Sequence, residues 1–195
     1  VPIRFGHEPF IYDRYVVLDL EYFVTTIYCV GVHIEDGRHS QTLVMWSDGP
    51  REARAVFGTL RDIVNDYEDA PILTWGGNAA DLPAMRSGAN RYRIKTLLKE
   101  VERRHIDVFQ YMRRNIRLPI PTLELKNVAE FFGHRTTSRI LGGMDANYHY
   151  WRYQNAESPQ EARSLRRELE RYNKNDLHAL RCAIRGIQRI IGTGR

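Results

Sequence analysis

The sequence predicts a mixed α/β fold, one sheet of antiparallel and parallel strands covered by helices, and three observations carry that prediction. Residues 15–22, 26–34 and 41–46 are runs rich in Val, Ile, Leu, Thr and aromatic side chains, the composition of strands. A helix-period stretch then leads into a short apolar run, the pattern of a crossover unit. Beyond residue 80 the periodicity is helical almost to the end.

Residues 1–14, with Pro2, Gly6 and Pro9, have no sustained period and read as a lead-in segment or linker before a domain spanning 15–195. Glu35-Asp-Gly-Arg38 supplies a hairpin turn, so the opening strands run antiparallel. After Pro50, residues Ala53, Val56, Phe57, Leu60 and Val64 recur at helical spacing, and Pro71–Trp75 follows as a strand. A helix between two strands implies a parallel pairing, which places this fourth strand beside one of the first three. A short helix opens at Asp81, and Leu125, Val128, Ala129 and Phe132 mark an apolar face closed by Gly133. The segment 134–157 contains Gly142-Gly143 and the aromatics Tyr148, Tyr150, Trp151 and Tyr153; it reads as an extended loop. Residues 159–189 read as a long Arg-rich helix broken once.

At 195 residues and 43% hydrophobic, the chain can bury one full core. Its net charge of +5 points to a polyanionic partner, although an excess of this size also occurs on proteins without one. Cys29 and Cys182 have neither metal-ligand spacing nor a disulfide framework around them, which excludes a zinc scaffold and fits a reducing compartment. The sequence has no apolar run near the roughly 20 residues of a membrane span and no signal-peptide layout, so a cytoplasmic location is expected. A start at Val1 suggests a domain cut from a longer protein.

The chemistry is concentrated in acids. Asp19 and Glu21 lie two apart in an apolar strand, so both carboxylates share one face, where their repulsion calls for a cation. Tyr172 and Asp176, four apart on a helix, also share a face, with Cβ atoms about 6 Å apart. Asp81 sits where a strand and Gly-rich loop, Trp75-Gly-Gly-Asn-Ala-Ala-Asp81, meet a helix. Each has a plainer reading. Asp81 alone reads as a helix N-cap, and Tyr172 with Asp176 as a solvated helix face. Asp107 reads as a cap or loop residue outside any metal set, and His178 as a packing or capping residue. Arginines 163, 166, 167, 171, 181, 185 and 189 form either a phosphate-binding stripe or a solvated face. The aromatic run 148–153 either binds single strands or pins its loop.

Asp19-Leu-Glu21, the loop ending in Asp81-Leu-Pro83, and Tyr172-x-x-x-Asp176 together resemble the three motifs of the DEDDy branch of DnaQ-like 3'-to-5' exonucleases, within the RNase H-like superfamily. More narrowly, the chain is similar to predicted exonucleases related to the proofreading domain of family-B DNA polymerases. His105-Ile-Asp-Val108 and Leu123–Gly133 look like that group's connecting segments. The likeness spans about residues 15–188. One departure stands out: the family's second motif usually reads aromatic-Asn-Gly-x-x-Phe-Asp, and this chain has Gly76 for the Asn and Ala80 for the Phe.

The resemblance implies an RNase H-like fold and a metal-dependent 3'-to-5' exonuclease acting on DNA or RNA and releasing nucleoside 5'-monophosphates. It makes Asp19, Glu21, Asp81 and Asp176 the ligands of two Mg²⁺ or Mn²⁺ ions. Tyr172 would orient or help deprotonate the attacking water. Histidine-type members carry their histidine five residues before the last acid, where this chain has Arg171. Tyr22 and Phe23 would stack on the terminal base, and the partner would be a nucleic acid, foremost the single-stranded 3' end of DNA. The alternatives are a binding module that kept the fold without turnover, and an endonuclease on the same fold.

Overall fold

The structure, a computed structural model, describes residues 10–37 and 39–193. The elements are β1 (Arg14–Phe23), β2 (Thr26–Asp36), β3 (His39–Trp46), α1 (Pro50–Asp66), β4 (Ile72–Thr74), α2 (Asp81–Arg91), α3 (Lys95–Arg104), β5 (His105–Asp107), α4 (Val108–Asn115), α5 (Leu125–Phe131), α6 (Gly143–Gln154) and α7 (Pro159–Thr193). The sheet order is β3-β2-β1-β4-β5. β1, β2 and β3 pair antiparallel, and β4 lies parallel to both β1 and β5, so the predicted mixed sheet is present with its crossover. Most of the lead-in segment, and Arg38 of the predicted hairpin turn, lie outside the described residues; Gly37 takes φ 59° in that turn.

β1 is central, and its two-residue period divides the core. Val16, Leu18 and Leu20 face one layer, with Val30, Val32 and Ile34 of β2 and the buried stripe Val56, Phe57, Leu60 and Val64 of α1. Tyr15 and Val17 face the other, with Met112 of α4, Val128 of α5 and Leu177, Leu180 and Ile184 of α7. Phe10 is fully buried in this second layer, its ring 4.5 Å from that of Tyr111, so the core reaches back past the first strand. A sheet buried on both faces explains why β1 and β2 read as near-continuous apolar runs.

Two predicted features are corrected. The segment 134–157 is not an extended loop, because residues 143–154 form α6. The glycine pair marks a helix start: Gly142 is the N-cap, and the Asp145 carboxylate accepts from Leu141 N at 2.9 Å, satisfying backbone at the helix entrance. The aromatic run then divides by helical angle. Tyr150 stacks on Tyr28 with centroids 3.9 Å apart and Tyr153 meets Trp46 edge-on at 5.2 Å, while Tyr148 and Trp151 stay exposed. The second correction is that α7 is unbroken over 35 residues, roughly 50 Å. Its run Asn173-Lys-Asn175 costs up to about 0.7 kcal/mol per residue in propensity. Both asparagine side chains are engaged in long-range hydrogen bonds, each contributing about 1 kcal/mol or more, and so do not compete for the helix backbone.

Candidate active site

Because strand side chains alternate, Asp19 and Glu21 fall on the side of β1 that faces α7. Asp19 pairs across the ladder with Gly31 of β2, and there α7 comes down onto the sheet. A Cβ at Gly31 would lie 2.1 Å from Asn173 Oδ1, so only glycine permits this approach. Asn173, fully buried, donates from Nδ2 to Asp19 Oδ2 at 2.7 Å. The helix delivers Asp176 nearly one turn later, and ligand oxygens of Asp19, Glu21 and Asp176 lie within 4.8 Å of one another. A register shift between Glu21 and Tyr22 bends β1 just past the acids, a device that re-aims side chains.

Asp81 arrives from the other side. It is the first residue of α2, with Ala80 at the N-cap position, and its carboxylate accepts from Leu20 N at 3.2 Å. The plain capping reading therefore gives way to a bridging one, since Asp81 follows the cap position and its carboxylate accepts from β1 as well as from its own N–H. It lines the same pocket, of about 230 Å³, yet stands outside the 4.8 Å set. Tyr22, Trp75, Asn147 and Tyr172 complete the walls, and the Tyr172 hydroxyl donates to Asp176. Phe23 is turned instead toward Tyr150, ring centroids 5.9 Å apart.

The loop before Asp81 is held from below. Gly76 has φ +70°, a left-handed conformation that glycine and asparagine share, so Gly76 suits the turn as an Asn would. Asp107 accepts from Gly76 N at 3.1 Å and Asn78 N at 3.2 Å while capping α4 through Gln110 N at 3.1 Å. Its reading as a cap is correct, and the grip on the loop adds a positioning role. Asn175 works likewise on the opposite wall: it accepts from Thr137 N at 3.1 Å and donates to Thr136 Oγ1 at 3.0 Å, fixing the segment that leads into α6.

The electrostatics are those of buried, crowded acids. Burial, then the charges of Glu21, Asp81 and Asp176, hold the Asp19 carboxyl well above the usual range. Burial, then the charges of Asp176 and Asp81, raise Glu21 to about 8. Asp81 is raised to about 7 by burial, against the pull of the Leu20 N–H. Asp176 is raised to about 6 by burial, eased by hydrogen bonds from Tyr172 and Asn175. Burial and Asp176 push the Tyr172 phenol far up, so it remains an O–H donor. An all-oxygen donor set whose members repel one another fits hard divalent cations such as Mg²⁺ or Mn²⁺.

A family profile described as the RNase H superfamily matches residues 18–183, from the residue before Asp19 to beyond Asp176. The chain belongs to the RNase H superfamily. As in the sequence reading, this RNase H domain carries its acids on the central strand and the last helix. A family B DNA polymerase from the hyperthermophilic archaeon Pyrobaculum calidifontis shares the fold over 90% of this chain, with a TM-score of 0.57 and 20% identity. The matched region is 24% of that polymerase, so the chain spans about a quarter of its length. No curated protein matches the chain. Among the described residues, no helix is long and apolar enough to cross a membrane.

The sequence reading missed Asn173, Asn175, Asn147 and Gly31. Asn173 had a legible signal, since it is a polar residue on the helix stripe that also carries Leu169, Leu177 and Leu180. Gly31 reads only as a weak point in a strand until the partner helix is placed.

Proposed function

We propose that this domain is a metal-dependent 3'-to-5' exonuclease on DNA or RNA that releases nucleoside 5'-monophosphates. The observation that carries the reading is the convergence of Asp19, Glu21 and Asp176 within 4.8 Å, with Asp81 and Tyr172 lining the same pocket. The four carboxylates are the ligands this reading assigns to two divalent cations. Such a pair, when bound, activates a water and stabilises the leaving 3'-oxygen of a phosphodiester.

The chain's own groups have defined tasks in this reading. Asn173 fixes Asp19 in one rotamer, so a ligand oxygen is preorganised. Tyr172, kept protonated, orients the attacking water through its hydroxyl; of the two roles expected for it, burial supports this one over proton abstraction. Tyr22 in the pocket wall packs against the terminal nucleotide, and the outward rings of Tyr148 and Trp151 offer faces on which bases stack, worth about 1–3 kcal/mol each. The superfamily membership and the shared fold with a family B DNA polymerase support a nucleic-acid substrate.

The test is a 5'-labelled single-stranded oligonucleotide with Mg²⁺ or Mn²⁺. A ladder shortening by one nucleotide at a time is expected, and Asp19→Asn and Asp176→Asn each abolish it. Internal cuts would make the domain an endonuclease. Binding with no product under either metal would make it a binding module.

A further inference from the structure

Six of the seven arginines of α7, at 163, 167, 171, 181, 185 and 189, recur at the same helical angles, and Arg166 stands off that stripe. In the first half Arg166 is neutralised by Asp48 and Glu170 and lies over the Trp46 ring. In the second half Arg181, Arg185 and Arg189, four residues apart and so on one face, line a cleft of about 800 Å³ with His134, His178 and Gln188. No acid lines that cleft among the described residues. Beneath it Glu35 is gripped by Arg181 at 2.7 Å and Arg185 at 2.9 Å, and one carboxylate cannot balance two guanidinium groups. It also fixes their positions, which preorganises the cationic face.

The cleft is not isolated. His134 also lines a neighbouring cleft of about 680 Å³, which reaches Tyr172 and Asp176. The two clefts thus meet at His134, the neighbouring one carrying Glu124 and Glu130 beside Lys126 and Arg135, and the distance along α7 from Asp176 to Arg189 is about 20 Å at 1.5 Å per residue. The Arg189 end is basic and concave. α7 uses seven arginines and one lysine. Planar forks of that kind match phosphate oxygens in pairs, which a point-charge ammonium does not.

We infer that the Arg181–Arg185–Arg189 cleft is an exosite for the phosphate backbone of a nucleic-acid strand whose end occupies the carboxylate pocket. This rests on the nuclease reading for what lies at the Asp176 end, while the cleft's own ligand is a polyanion in either case. Sequence-independent affinity, and retention of the strand between cuts, follow from it.

The experiment uses Arg185→Gln/Arg189→Glu, in which the amide introduced at position 185 retains a donor toward Glu35. Binding of labelled oligo-dT of about 20 and about four nucleotides is measured by anisotropy with Ca²⁺ across a salt series. The variant should bind the long probe about tenfold or more weakly and lower its salt slope by about one to two. The penalty should shrink markedly on the short probe. Equal penalties on both lengths, or wild-type binding of the long probe, would overturn the exosite. Thermal melting of the variant identifies a loss caused by misfolding, and Arg189→Glu alone, which leaves Glu35 paired, must then show the length-dependent loss or the exosite fails. Length-dependent binding without cleavage in Mg²⁺ or Mn²⁺ sinks the nuclease reading and leaves the exosite standing; cleavage by wild type with an unaffected variant does the reverse.

Discussion

Two places on the same sheet face put carboxylates under the same helix, and they resolve the problem in opposite ways. At Glu35, α7 supplies Arg181 and Arg185, and their hydrogen bonds and charges hold the carboxyl below its usual range despite burial. At Asp19 and Glu21 the same helix supplies Asp176, a further acid, and the carboxyls are driven up. One site is completed by the chain. The other stays a cluster of mutually repelling acids, which the proposed function assigns to divalent cations.

The widest break between the two sites should come from metal. Mg²⁺ or Mn²⁺ at about a hundred times its Kd adds about 2.7 kcal/mol to the folded state, or several degrees in Tm. Scanning calorimetry should show that rise in the wild type and in Glu35→Gln, and its loss in Asp19→Asn. A rise that survives in Asp19→Asn would place the metal elsewhere.

Next in size is a pair of identical substitutions with opposite signs. Glu35→Gln removes the charge that two arginines hold and should lower the stability of the metal-free protein by about 1–2 kcal/mol, discounted because Arg185 is half exposed. Asp19→Asn relieves repulsion and should raise it by about 1 kcal/mol. The pH dependence follows the same division. The Asp19 cluster has raised folded values, so its contribution is full below the unfolded carboxylate range near 4 and is lost as pH climbs to about 8. Glu35 has a lowered folded value, so its contribution is present above that range and lost in acid. Urea midpoints from pH 3.5 to 8.5 should fall at the alkaline side in wild type but not with Mg²⁺ bound, and Glu35→Gln should flatten only the acid side. Matching signs for the two amides would undo the contrast.

The smallest effect compares two tyrosines, each beside one of the acids. Tyr172→Phe should slow cleavage about tenfold, equal to about 1.4 kcal/mol, with KM little changed. Tyr15→Phe, beside Glu35, should leave the rate alone. Equal rates for both variants would remove the water-orienting role of Tyr172.

The legibility of this fold followed element length and local redundancy. β1 to β3 and α1 announce themselves through long runs with consistent period and turn residues, whereas β5, three residues long, has too few positions to show any period. α6 was hidden because its glycines resemble loop punctuation and its aromatics favour strands, while the contacts that hold it, Tyr150 on Tyr28 above all, are long-range. Asp19, Glu21, Asp176 and Tyr172 were legible because each pair lies on one element, where spacing alone decides which face it occupies. The direction of Asp81 was not, since it depends on a backbone N–H 61 residues away. Asp107 illustrates the limit from the other side: its capping role is local and was read correctly, whereas its hold on the loop at Gly76 crosses between β5 and β4 and leaves no trace in spacing.

The unbroken α7 carries a constraint on how this sequence can drift. Tyr172, Asn173, Asp176, Arg181, Arg185 and Arg189 ride on one rod without a joint. Deleting or inserting a single residue between Asp176 and Arg181 would turn everything beyond it by about 100°, swinging the arginines off Glu35 while leaving the carboxylates in place. The spacing between Asp176 and Arg181 should therefore be fixed in number, and length changes should be tolerated in stretches outside the helix, such as 116–124 and 132–142.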